Sequence, residues 1–227
     1  MNCIACAGYN IRKNMQKMHK HKAHPWHGIE LGENAPEEAT AFIEIVPTDT
    51  VKYEVDKKSG YLSVDRPQQF SNIVPCLYGF FPRTYCHAHV AELTNAALGR
   101  SDIEGDGDPL DVCILTEKDI THGDIIAKVR PIGGFRLLDH NQADDKIIAV
   151  LKNDIIYGKY GDIGELPEKV VERMVHYFTT YKDLPTENTR KMKLTGVYGK
   201  DIACDVIRRA AKDYAEQIGD NVDDCMD

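Results

Sequence analysis

Asp106, Asp108 and Asp111 place three carboxylates within six residues. Gly105 and Gly107 loosen the backbone around them, and Pro109 fixes it just before an apolar run, Leu110 to Leu115. Such a run predicts a buried strand, so the acids belong to a tight loop and the start of a strand, not to a helix face. Holding them together is unfavourable. At ~5 Å and an effective dielectric of about 20, each like pair repels by roughly 3 kcal/mol. A bound cation removes that repulsion, and oxygen-only ligands suit hard ions such as Mg²⁺, Mn²⁺ or Ca²⁺. Acidic loops are commonly just solvated, but two glycines and a proline locking three acids argue against that reading. An EF-hand is the sharper rival. Asp102, Glu104, Asp106 and Gly107 fit its first, third, fifth and sixth positions. The twelfth, which needs a bidentate Glu, is Cys113, and Pro109 interrupts the loop.

Other residues could share this chemistry. A second acidic loop, Asp139 to Lys146, lies between two expected strands and contains Asp144 and Asp145. Two acidic loops suggest a shared multi-metal cage, although a polar turn of this kind also occurs without function. In Val51 to Val55 the period of two puts Lys52 and Glu54 on one face, which on its own reads as a solvated sheet face. Tyr181 and Lys182 end a helical stretch, where one also fits the apolar stripe and the other a solvent face.

These groups need elements to position them. Strands are expected at Ala41 to Val46, with Glu44 sharing a face with Phe42 and Val46, and at Val51 to Val55 and Tyr61 to Asp65 around a turn ending in Gly60. Further strands are expected at residues 124–138, broken at Gly133 and Gly134, at 146–152, and at Lys193 to Tyr198. Tyr78 to Pro82 reads as a turn-rich aromatic stretch. Pro167 to Lys182 is an amphipathic helix whose stripe includes Val170, Met174 and Phe178. Lys200 to Ile218 is a second, stopped by Gly219.

The 227 residues suit one large domain with extensions, and a formal charge of −8 argues against general nucleic-acid binding. No apolar stretch approaches the ~20 residues of a membrane helix. The seven scattered cysteines and the absence of a visible secretory signal indicate reduced thiols in a cytoplasmic setting. Residues 1–40 read as an N-terminal arm, 41–218 as a single barrel domain, and 219–227 as an acidic tail. The first 29 residues lack Asp and Glu, which leaves an organelle presequence open, although Arg and Ser are scarce there. Cys3, Cys6, His19 and His24 have zinc-finger spacing, but Asn10 and Gln16 stand where such a finger buries apolar groups. No site residue is expected before residue 29.

Taken in order, Glu44, Lys52-Tyr53-Glu54, Asp65-Arg66, Tyr78-Gly79, Asp106-Gly107-Asp108-Pro109-Leu110-Asp111, Asp139, Asp144, Lys146 and Tyr181-Lys182 resemble the family I soluble inorganic pyrophosphatases. The likeness spans about residues 40 to 185. It implies a mixed α+β, mainly β fold: a five-stranded OB-like closed barrel flanked by two principal helices. It also implies hydrolysis of diphosphate, several Mg²⁺ ions with Mn²⁺ as a possible substitute, homo-oligomers, and a role in phosphate metabolism. Asp106, Asp111, Asp139, Asp144 and Glu44 match metal ligands, and Asp108 matches the general base. Lys52, Arg66, Tyr78, Lys146, Tyr181 and Lys182 match groups that grip phosphate, with Glu54 at the edge of the metal water network. The chain departs from the bacterial pattern at Val74 to Leu77, at His140, and in a longer segment from Thr84 to Gly105. Two rivals stand beside this reading: a phosphohydrolase acting on another phosphoanhydride, and a non-catalytic divalent-metal-binding protein of the same fold.

Overall fold

The apolar runs close on one another as a ring of strands. The computed structural model describes residues 22–69, 71–183 and 191–219. Its first strands are β1 (Ala39–Ile45), β2 (Val51–Val55), β3 (Leu62–Pro67) and β4 (Leu77–Phe80). They are followed by β5 (Glu104–Gly105), β6 (Asp111–Leu115), β7 (Ile125–Asp139), β8 (Gln142–Ala143), β9 (Lys146–Leu151) and β10 (Met192–Gly199). Among the described residues the α-helices are α1 (Ala88–Leu98), α2 (Glu168–Thr180) and α3 (Lys200–Gln217). β1 pairs with β4, β4 with β6, β6 with β9 and β9 with β7, and β7 returns to β1. This is the closed five-stranded ring expected. β10 extends the sheet from β7, while β2 and β3 form a separate hairpin.

β6 shows why its sequence is apolar without alternation. Val112 and Ile114 pack with Ile43, Val129, Ile147 and residues of α3. Cys113 and Leu115 pack on the other side with Ile148, Phe135 and the α2 residues Met174 and Phe178. A strand buried on both faces has no polar side to show.

Three elements differ from expectation. β7 does not break at Gly133. It runs through with a register shift against β9 between Pro131 and Gly133. The two glycines serve close approach instead: a Cβ on Gly133 would lie 2.5 Å from Ile163, and one on Gly134 would lie 2.4 Å from Tyr198. The aromatic stretch at Tyr78 is the strand β4, whose Gly79 lets β1 pass so closely that a Cβ would sit 1.9 Å from the Phe42 carbonyl oxygen. α1 is an additional helix in the long segment after Thr84. It buries Val90, Ala91 and Thr94 and stops at Gly99, which has φ 63°.

Residues 22–38 lie against this body. Trp26 is buried with Phe42, Val55, Phe80 and Tyr214. Cys3, Cys6 and His19 fall outside the described residues, as does the tail from residue 220.

Candidate active site

The acidic loop owes its shape to backbone bonds as much as to its acids. Cys86 N–H donates to the Asp108 carbonyl at 2.8 Å, and Gly107 N–H donates to the Cys86 carbonyl at 3.0 Å. Gly107 adopts φ 74°, a conformation that favours glycine. Asp108 N–H donates to Asp106 Oδ1 at 3.1 Å. The chain then enters β6 at Asp111, whose neighbour on the parallel strand β9 is Lys146.

That pairing sets the electrostatic centre. The Lys146 ammonium donates to both Asp111 and Asp144, and Lys146 is 3% exposed. Burial works against its charge, but Asp111 and Asp144 outweigh it and hold its pKa well above the usual lysine value. Tyr78 Oη donates to Asp111 Oδ2 at 2.7 Å. Burial raises the Asp111 pKa despite Lys146. Burial, then the Asp144 charge, push that of Asp106 well up. Glu44 is 6% exposed on β1 and accepts from Val55 N–H at 2.7 Å. Burial lifts its pKa to about 8. These carboxylates are held at a density that disfavours their charge, using oxygen donors only. That donor set fits a hard divalent cation.

Other elements complete a cleft of about 220 Å³. The hairpin brings Lys52 and Glu54, 3.1 Å apart, with Lys52 also 2.9 Å from Asp65. Both hairpin residues line the cleft, so the solvated-face reading of that pair does not hold. Asp139, at the end of β7, takes Lys182 at 2.6 Å and the His140 ring at 2.8 Å. Burial would raise the Asp139 pKa, but Lys182 and His140 outweigh it and leave it below the usual range. Tyr181 caps α2 and stacks on Tyr177, with ring centroids 5.3 Å apart. The two acidic loops therefore meet in one site.

Glu44, Lys52, Glu54, Tyr78, Asp106, Asp108, Asp111, Asp139, Asp144, Lys146, Tyr181 and Lys182 all line this cleft. Arg66 does not. It stands opposite Lys52 on the hairpin and is ion-paired to Asp65. Asp145 also turns away: it is buried, accepts from Tyr198 Oη at 2.8 Å, and burial raises its pKa to about 6.

Six lining residues are not among the site residues read from the sequence: Trp26, Val55, Lys57, Phe80, Pro109 and Gln142. Trp26 lies in the segment from which no site residue was expected. Lys57 looks like an ordinary turn lysine, yet it is ion-paired to Asp108. Only its distance of three positions from Glu54 hinted at the cleft.

Fold and site together define an OB-like barrel whose mouth carries a carboxylate cage rimmed by lysines and tyrosines. Such a site is suited to divalent ions and to phosphate oxygens. A family model, inorganic pyrophosphatase, matches residues 41–215. The inorganic pyrophosphatase of Chlamydia trachomatis serovar L2 is 51% identical over 196 residues, covering 85% of this chain and 94% of that one. The crystal structure of the Thermus thermophilus inorganic pyrophosphatase superposes with TM-score 0.71 at 28% identity, covering 85% of this chain and 99% of the other. The solved structure of the Helicobacter pylori inorganic pyrophosphatase gives 0.66 at 31% identity, covering 82% and 98%. The chain belongs to the inorganic pyrophosphatase family.

Proposed function

We propose that the chain hydrolyses inorganic diphosphate to two phosphates with Mg²⁺, using Asp108 as the general base. The hydrolysis follows from membership of the family, and divalent-metal use goes with it. The observation that carries the rest is the charge of the cleft. Seven carboxylates line it against four lysine ammonium groups. A lining with that excess repels a highly charged anion unless cations offset it.

Asp106, Asp111 and Asp144 would hold the tightest ion, Asp111 a neighbouring one, Asp139 and Asp144 one arriving with substrate, and Glu44 another. When bound, such ions neutralise the acids, screen the substrate and make an attacking water more acidic. The side chains then divide the work. Asp108 does not contact Lys146, and its side chain is 47% exposed, so it is the loop acid best placed to take a proton from water. The water oxygen bonds to one phosphorus, the bridging P–O bond breaks, and the second phosphate leaves. Lys52, Lys182, Tyr181, Tyr78 and Lys146 face the cleft and offset charge on the two phosphates. Arg66, paired to Asp65 and outside the cleft lining, would have to turn inward to reach a phosphate. Glu54 orders the edge of the site.

Phosphate release from Mg-diphosphate, with and without chelator, tests the activity, and ATP in place of diphosphate tests the substrate. Asp108→Asn is expected to cut turnover by about 10²–10⁴-fold with Mg²⁺ binding little changed. Asp106→Asn is expected to weaken Mg²⁺ binding itself. Near-wild-type turnover of the Asp108 variant at saturating Mg²⁺ would remove Asp108 from this role.

A further inference from the structure

The segment before β1 lies beside one partner of an ion pair in the site and is linked through Thr84 to the loop that carries the other. Lys57 lies in the turn between β2 and β3, and its ammonium donates to Asp108 Oδ1. Among the described residues Asp108 Oδ2 accepts no hydrogen bond. The turn rests on His24 and Pro25. A Cβ added at Gly60 would lie 2.8 Å from His24 Cδ2 and 3.0 Å from Pro25 Cδ, so the turn packs closely on both residues. Next in the chain is Trp26, 6% exposed, whose ring centroid lies 5.9 Å from Lys57 Nζ. The Trp26 indole N–H donates to the Thr84 carbonyl at 2.7 Å. The Thr84 hydroxyl oxygen accepts from Leu110 N–H at 2.9 Å, which ties the indole to the far end of the acidic loop. Three consecutive residues, His24 to Trp26, thus hold the turn that carries the lysine and the loop that carries the aspartate.

The pair is not there for stability. The side chains of Lys57 and Asp108 are 50% and 47% exposed, and exposed pairs contribute about 0–1 kcal/mol at most. Its consequence is orientation. With Oδ1 held by the ammonium, the rotation of the Asp108 carboxylate is narrowed and Oδ2 is left without a hydrogen-bond partner among the described residues. A carboxylate free to rotate spends less time in the geometry that accepts a proton from water.

We infer that Lys57, braced by His24 to Trp26, is a positioning residue for Asp108: it holds one carboxylate oxygen and presents the other to the attacking water. This rests on Asp108 being the base. Steady-state kinetics of Lys57→Met, Lys57→Arg, Asp108→Asn, the Lys57→Met/Asp108→Asn double variant and Trp26→Phe test it. Each is checked by circular dichroism and by the Mg²⁺-dependent shift in melting temperature without substrate. Lys57→Met is expected to lower kcat about 10-fold, with KM for Mg-diphosphate and the Mg²⁺ shift at wild-type values. Arginine should restore most of the loss. In the Asp108→Asn background the methionine should have no further effect, because the partner it acts through is gone. Trp26→Phe should lower kcat in the same direction by a smaller factor.

A rise in KM at unchanged kcat would make Lys57 a phosphate-binding group and overturn the inference. So would an equal loss of kcat in both backgrounds, or wild-type kcat in Lys57→Met. A wild-type kcat in Trp26→Phe would overturn the brace. Full turnover by Asp108→Asn alone would instead remove the base on which the inference stands.

Discussion

His27 illustrates how one side chain's surroundings set its chemistry. Its ring stacks on Trp26, with centroids 4.5 Å apart, and Nδ1 lies 2.8 Å from Tyr214 Oη. Burial, then the nearby His24 and Arg83, lower its pKa to about 4. An unfolded histidine titrates near 6.5, so between pH 6.5 and 4 the unfolded chain binds the extra proton. Stability from this residue is therefore present above pH 6.5 and is lost as pH falls through that window. Partial exposure reduces the loss to roughly 1–2 kcal/mol. Urea unfolding of wild type and His27→Gln at pH 7.5 and 4.5 measures it. The stability advantage of wild type should shrink on acidification, and an unchanged gap would mean that His27 titrates normally. Such a shift was not legible in the sequence, because Tyr214 and Arg83 meet His27 only in three dimensions. The acids were legible for the opposite reason. Asp106, Asp108 and Asp111 are so close in sequence that no fold can separate them. Lys57 lines the same cleft, but the residues it meets there lie at positions 26 and 108.

At the scale of elements, local pattern revealed what local forces decide. α2 and α3 carry apolar stripes, and β1, β2, β6 and β9 carry apolar or alternating runs, so their places were readable. β4 was obscured by Gly79, which resembles a turn residue until β1 is seen to cross it. The resulting prediction is direct. In Gly79→Ala the new Cβ would meet the Phe42 carbonyl oxygen at 1.9 Å, which no rotamer relieves, so β1 and β4 must part. Phe42 pairs with Phe80, and Gly79 with both Ile43 and Val112, so the strain enters the ring at two ladders. A loss of about 3 kcal/mol or more is expected. Tyr78 would also shift from Asp111, so residual enzyme should lose activity beyond its folded fraction. Thermal unfolding checks the first expectation, and a melting temperature within about 2 °C of wild type would contradict it. α1 was unreadable for a different reason. Its buried surface is small, and its sequence of His89, Glu92, Thr94 and Asn95 among alanines favours no particular face.

For the molecule as a whole, the cleft is a meeting point of separate parts. Glu44 comes from β1, Lys52 from the hairpin, Asp106 from the acidic loop, Asp139 and Asp144 from the ends of β7 and the loop before β9, and Lys182 from beyond α2. The ring, the hairpin and α2 together fix their spacing, so a change in metal–oxygen distance at one of the proposed ligands would have to be absorbed between elements. This makes Ca²⁺ a probe of the whole assembly. An all-carboxylate set cannot exclude Ca²⁺ by ligand type. Ca²⁺ takes oxygens at roughly 2.3–2.6 Å in loose geometry, against about 2.0–2.1 Å in an octahedron for Mg²⁺. Asp108 is tied to the proposed ligand Asp106 through its backbone N–H, but also to Lys57 and to Cys86 outside the proposed ligands, so it would follow ligands that move outward only in part. A misplacement near 1 Å costs about 10²-fold in rate. Ca²⁺ is therefore expected to bind, to support little or no turnover alone, and to inhibit when added to Mg²⁺. Phosphate release at fixed Mg²⁺ across a Ca²⁺ titration measures this. Diphosphate is kept soluble, and free Mg-diphosphate is held constant so that calcium complexation of the substrate is accounted for. Ca²⁺ should also raise the melting temperature without substrate, which separates binding at the site from depletion of substrate. Turnover with Ca²⁺ alone near the Mg²⁺ rate would show that the barrel does not hold Asp108 and its neighbouring acids to the spacing argued here.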